Sequence, residues 1–216
     1  MKQPIGKTLM LVENCYPGDT RVRNEATLLS SAGYDVTVIA LGSASEPRHE
    51  IVNGVRVYRA PRIELFKKTL ANRSGMLSAA ALKLKALLGY SFEYFYFTSA
   101  CLVLSTYVLF RHGFDAIHAH NPPDTLFLVA LPFKALGKKF VFDHHDLCPE
   151  LYQSRYGRGE CTQTRLLSLF EWCTLRLANV TIATNESYKQ IQIERGRRGP
   201  QSVYVVRNGP GAAAER

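Results

Sequence analysis

The chain is 216 residues long, 46% hydrophobic and 21% charged, with 27 Lys and Arg against 18 Asp and Glu. Eleven Phe and eleven Tyr exclude a disordered or low-complexity polymer, and a chain of this length can bury about 70% of its unfolded surface around one core. The formal charge of +9 is spread evenly, with 13 basic and 8 acidic side chains in residues 1–110 and 14 and 10 in the rest. No basic arm argues for nucleic acid, and a general attraction to anionic substrates or lipid surfaces fits the charge as well.

The first apolar run, Thr8-Leu9-Met10-Leu11-Val12, is unalternated and short, as in a strand buried on both faces. Pro17-Gly18-Asp19 breaks the chain, and Val22, Ala26 and Leu29 then recur at helical spacing until Gly33 stops them. A second buried strand follows over 36–41. Strand, helix and strand within about 35 residues form a βαβ unit, which implies a parallel sheet with a right-handed crossover. Asn53-Gly54 between alternating residues predicts a hairpin over 51–58. Residues 60–78 are basic and irregular, with Lys67, Lys68 and Arg73, and from there to Arg111 the pattern is helical and unusually apolar. Residues 92–110 carry one charged side chain, Glu93. They nearly meet the criterion for a membrane span, but Thr98, Ser99, Ser105 and Thr106 favour a buried or membrane-facing helix, with Lys83 and Lys85 upstream suited to an anionic interface.

The second half keeps the strand–helix rhythm. Strands are predicted over 116–119, 139–142, 180–183 and 203–206, and helices over 125–135, 163–177 and 187–194. This alternation specifies a doubly wound, mostly parallel α/β layer with a small antiparallel hairpin. Five cysteines, odd in number and without a Cys-x-x-Cys pair, indicate neither a disulfide framework nor a zinc ribbon. No cleavable signal is visible in residues 1–7, and a reducing cytoplasm is the simplest compartment. The sequons at Asn72, Asn179 and Asn185 are read as chance, since Asn179 opens a buried strand.

In an open parallel sheet, ligands bind beyond the carboxyl ends of the strands. The segments leaving those ends are 14–19, 42–45, 120–124, 144–150, 185–187 and 207–209, rich in His, Asn, Asp, Gly and Ser. There is no Gly-x-Gly-x-x-Gly after the first strand, no Walker loop and no Gly-x-Ser-x-Gly elbow. His144-His145-Asp146 with Cys148 offers donor atoms, but adjacent side chains on an extended segment point opposite ways, so no metal is expected there.

Several of these segments carry a recognisable pattern in order. They are Pro17-Gly18-Asp19-Thr20-Arg21-Val22-Arg23-Asn24-Glu25-Ala26, then Ala32-Gly33-Tyr34-Asp35-Val36-Thr37-Val38-Ile39-Ala40, then Phe114-Asp115-Ala116-Ile117-His118-Ala119-His120-Asn121. Phe142-Asp143-His144-His145-Asp146-Leu147-Cys148-Pro149-Glu150-Leu151, Ala178-Asn179-Val180-Thr181-Ile182-Ala183-Thr184-Asn185-Glu186 and Val206-Arg207-Asn208-Gly209 follow. Together they resemble the N-terminal domain of glycosyltransferase family 4, the retaining GT-B enzymes, and the fourth motif, Phe142 to Leu151, resembles the exopolysaccharide and capsule branch.

The resemblance implies transfer of a sugar from a nucleotide-sugar donor to a glycan or lipid-linked acceptor, without a metal or other cofactor, at the inner face of the cell membrane. It implies that residues 1–209 form the acceptor-side Rossmann-like domain. His145 and His120 are then expected as the catalytic-crevice histidines, and Gly18, Asp19 and Arg21 as the loop that approaches the donor phosphates. Asn121, Asp146, Glu150 and Asn185 are expected to line the same crevice. In the family, an Arg-Asn-Gly such as Arg207-Asn208-Gly209 leads to a second, donor-binding domain, whereas residues 210–216 do not continue that pattern. The expectation is therefore a chain that lacks the donor domain and is inactive unless one is supplied in cis or trans. The alternative is a non-catalytic binding module or a truncated remnant.

Overall fold

A computed structural model describes residues 3–63, 79–156 and 161–207, without the side chains of 79–91, 155 and 156. The basic stretch with Lys67, Lys68, Asn72 and Arg73, the Lys83 and Lys85 side chains, and Asn208, Gly209 and the 210–216 tail lie outside the described residues.

In chain order the elements are β1 (Lys7–Val12), α1 (Thr20–Ser31), β2 (Asp35–Gly42), β3 (His49–Val52), β4 (Val55–Pro61), α2 (Ala79–Arg111) and β5 (Ala116–His120). They continue with α3 (Phe127–Ala135), β6 (Lys139–His144), α4 (Cys148–Tyr156), α5 (Thr162–Leu177), β7 (Val180–Ala183), α6 (Glu186–Gly196) and β8 (Val203–Val205). The eight strands form one sheet in the order β3-β4-β2-β1-β5-β6-β7-β8. Every pair is parallel except β3 with β4. The expected doubly wound layer is thus present, and so is its hairpin. Asn53 and Gly54 take φ of 50° and 82°, the left-handed pair that a tight hairpin turn requires and that glycine adopts at no steric cost.

The two faces of the sheet bury different sets. Leu9, Leu11, Ile39, Ile117, Ala119, Phe140 and Phe142 pack on one face against α2, α3 and α5 through Phe97, Cys101, Val108, Val129, Phe133 and Leu175. Met10, Val12, Val36, Val38 and Val57 pack on the other against Val22 and Ala26 of α1. Alternate residues of each strand therefore report to opposite layers. The apolar helix α2 is half core and half surface: Phe97 and Cys101 are fully buried, while Phe95, Val103, Tyr107 and Phe110 are exposed. Phe92–Arg111 is long and apolar enough to cross a membrane, by length and composition alone.

Two local expectations needed correction. The strand predicted over 139–142 runs on to His144, because His144 pairs with Ala183 of β7. His144 is therefore part of the sheet and not of the loop beyond it. The segment after it coils into α4, which the sequence did not announce. Its start signals are Pro149 and Glu150 in the first turn, and it is held by α5 rather than by an apolar stripe of its own.

Candidate functional site

The carboxyl edge of β1, β5 and β6 gathers the polar loops. On β5, Ile117 and Ala119 enter the core, so His118 and His120 emerge on the α1 face, beside Met10 and Val12 in register. On β6 the same alternation sends Asp143 to that face and His144 to the opposite one.

Asp143 is the centre of the arrangement. Its Oδ2 lies 2.8 Å from Nε2 of His145 and 3.2 Å from Nδ1 of His120. Burial alone would raise this carboxyl, but the imidazoles of His120 and His145 outweigh it and hold the group well below the usual carboxylate range. The three rings of His118, His120 and His145 stack in a row, with centroids 4.4 Å and then 5.8 Å apart. Each of His120 and His145 thus spends one nitrogen on Asp143. Nε2 of His120 and Nδ1 of His145 have no hydrogen-bond partner among the described residues.

The loop that carries His145 is set by Asn121. Its Oδ1 accepts the backbone N–H of His145 at 2.6 Å and of Asp146 at 3.2 Å. Its Nδ2 donates to Asp124 Oδ1 at 3.0 Å and to the Asp146 carbonyl at 2.6 Å. All four capacities of this buried amide are used within the protein, so Asn121 fixes the segment that follows β6.

The first loop is anchored just as firmly. Asp19 caps α1, accepting from the N–H groups of Arg21 and Val22, and pairs with the Arg21 guanidinium at 3.1 Å and with Asn14 Nδ2 at 3.1 Å. The helix start expected to greet an anion is therefore already occupied by a carboxylate. Arg21 also feels the charges of Asp146 and Asp143, after that of Asp19, and its pKa is raised. At Gly18 any Cβ would meet Cys15 Sγ at 2.5 Å, so the close approach there is to the loop's own thiol. From below, Arg59 of β4 donates to the Tyr16 carbonyl at 2.9 Å.

The other expected residues lie elsewhere. Glu150 pairs with Arg195, which also contacts Glu171 at 3.0 Å, while His144 Nε2 stands 3.3 Å from Glu171. This network, buried at His144 and Glu171 and open to solvent at Glu150 and Arg195, ties β6, α4, α5 and α6 together on the face away from Asp143. Asn185 caps α6, accepting from Tyr188 N–H at 2.9 Å. Sequence reasoning missed three groups that the fold delivers. Glu25 of α1 lies 3.5 Å from Nδ1 of His118, and burial, then the charge of Asp143, pushes its carboxyl up to about 8. Burial, then His120, drives His118 down to about 3, leaving it neutral. Glu13, at the end of β1, is raised to about 8 by burial and by Glu93, with Arg62 opposing. Alternation on β5 could have found His118. Glu25 and Glu13 become visible only once the sheet order is known.

A family model described as a glycosyl transferase 4-like domain matches residues 18–209. No curated protein matches significantly in sequence. Among solved structures, a sucrose-phosphate synthase from Thermosynechococcus elongatus superposes with a TM-score of 0.60 at 14% identity, over 95% of this chain and 48% of its own. A glycosyltransferase from Rickettsia africae gives 0.52 at 12% identity, over 94% and 43%. The calicheamicin glycosyltransferase CalG4 gives 0.53 at 14%, over 95% and 53%. The chain spans about half the length of these proteins, and at such identities the likeness is one of fold.

Proposed function

The chain belongs to the glycosyl transferase 4-like domain family, and from that premise we propose that it is the acceptor-side unit of an enzyme that moves a sugar from a nucleotide sugar to a glycan or lipid-linked acceptor with retained configuration. The observation that carries this reading is the convergence of His120 and His145 on the anionic Asp143 at the carboxyl edge of the sheet. Asp143 orients both rings, and each ring keeps a nitrogen with which to hold a sugar hydroxyl as charge develops on it. Arg21 stands beside them with a fixed positive charge for a diphosphate. In this reading the chain brings no cofactor to the transfer, the nucleotide sugar is substrate, and a donor-binding unit in cis or trans completes the crevice. The exposed Phe95, Val103, Tyr107 and Phe110 of α2 support peripheral contact with the cytoplasmic membrane face, where a lipid-linked acceptor would reside.

The test is to titrate the purified chain with lipid-linked sugars and glycans, then to assay transfer from nucleotide sugars after pairing it with a donor-binding unit. The expected result is acceptor binding by the chain alone and transfer, with the product anomer retained by NMR, only in the pair. Absence of acceptor binding overturns the acceptor-side assignment. Acceptor binding with no transfer in any pairing makes the chain a non-catalytic binding module, and an inverted anomer overturns retention.

A further inference from the structure

Glu25, His118, His120 and Asp143 turn donor atoms on one another to a degree that sugar binding alone does not require. Glu25 Oε1 is 3.5 Å from His118 Nδ1, Glu25 Oε2 is 3.9 Å from His120 Nε2, and Asp143 Oδ2 is 3.2 Å from His120 Nδ1. One donor atom from each of the four lies within 4.8 Å of the other three. A tetrahedral ion with bonds of about 2.1 Å sets its ligands roughly 3.4 Å apart, so small side-chain rotations close the shell. We propose that these four residues form a binding site for a borderline divalent transition-metal ion, of which Zn2+ is the type.

Two features point to a cation and not merely to packing. First, His120 is 2% exposed, yet its Nε2, the nitrogen on the Glu25 side, has no hydrogen-bond partner among the described residues, which is costly for a buried polar atom. Second, the donor set is two imidazoles and two carboxylates, which suits Zn2+, Co2+ or Ni2+ and not Mg2+ or Ca2+, whose sites are built of oxygen. The Glu25 side chain, 28% exposed, provides the way in. A bound ion would clamp α1 to β5 and β6 and would occupy His120, so within the proposed function it would inhibit. The site itself stands whether or not the chain serves sugar transfer.

The experiment is titration of the metal-stripped, purified chain with Co2+ and Zn2+, followed by visible absorption, calorimetry and thermal melting. One equivalent is expected to bind, with tetrahedral Co2+ absorption and a raised melting temperature, and Mg2+ is expected to give neither. Glu25→Gln and His118→Gln, checked for folding by circular dichroism without metal, should each weaken binding at least about tenfold, while Cys15→Ser leaves it unchanged. Substoichiometric binding by the wild-type chain, or binding undiminished in both folded variants, overturns the proposal. Sulfur-to-cobalt charge-transfer absorption that disappears in Cys15→Ser overturns it as well, by moving the ion to a thiol.

Discussion

The side chain of Asn121 accepts a hydrogen bond from the backbone N–H of His145 at 2.6 Å, so the loop after β5 dictates the position of a ring carried by the loop after β6. The same amide also holds Asp146 and Asp124. Asn121→Ala is expected to cost about 2–4 kcal/mol, since buried backbone groups lose their partner. Asn121→Asp should be no better: it keeps the acceptor but removes both Nδ2 donors and sets a second carboxylate beside Asp124. Urea unfolding of the two variants checks this, and a loss below about 0.5 kcal/mol for either would show that water replaces the amide.

Arg59 performs the matching task under the first loop. It is 4% exposed and donates to the carbonyls of Tyr16 and Pro47, each at 2.9 Å, while pairing with Glu50 and, at 3.7 Å, with Glu46. A lysine carries the charge but not the fork. Arg59→Lys is therefore expected to lose about 1–3 kcal/mol, the scale for leaving a buried carbonyl without its donor. Gly42 passes so close to this side chain that a Cβ would stand 2.7 Å from Arg59 Cβ, and Gly42→Ala should cost about 1–3 kcal/mol by overpacking. Thermal melts that leave either variant at the wild-type midpoint would refute the anchoring role.

The strands were legible because buried parallel strands are written as unbroken apolar runs, as in Leu9-Met10-Leu11 and Val38-Ile39-Ala40, and the hairpin because Asn53-Gly54 has few other uses. Helix α4 was not, since no apolar period marks residues 148–156 and its stability comes from α5 and from the Glu150–Arg195 pair. Within the site, His120 and His145 stood at strand ends and could be found. Asp143 and His118 lie inside strands, where only the facing of alternate residues reveals them, and Glu25 enters from a helix whose neighbour is decided by sheet order. At Gly18, Asn121 and Asn185 the side chains or tight approaches serve the protein's own loops and caps.

Glu13 gives the fold a pH dependence. Its carboxyl is raised to about 8 by burial and by Glu93 of α2, with Arg62 after β4 opposing, against about 4.5 in the unfolded chain. Cys101 of α2 feels the same carboxyl, but burial already holds its thiol neutral. A raised folded value means that the native state binds the proton more tightly, so the stability linked to Glu13 is complete below about pH 4.5 and is lost as pH rises through 8. Glu13→Gln should match the wild type near pH 5 and exceed it by up to a few kcal/mol near pH 8.5. Glu25 is raised in the same sense, so the difference between the two unfolding curves isolates Glu13. Curves that stay parallel across this range would exclude a proton held there.

His144 and His145 are neighbours with opposite duties. His144 is fully buried and faces Glu171 at 3.3 Å in the network that binds α4, α5 and α6 to the sheet. His145 faces Asp143 at 2.8 Å on the opposite face of the sheet, stacked beside His120. His144→Ala should therefore cost about 2–3 kcal/mol by leaving a void and half-pairing a buried carboxylate, with acceptor affinity kept at temperatures below its lowered midpoint. His145→Ala half-pairs Asp143 in the same way and should cost about 2–3 kcal/mol, but should in addition weaken acceptor binding at least tenfold, equivalent to about 1.4 kcal/mol. Paired measurement of unfolding and acceptor titration separates the two. If His145→Ala binds acceptor as tightly as the wild type, the Asp143-oriented ring is structural and the sugar is held by other groups of the crevice.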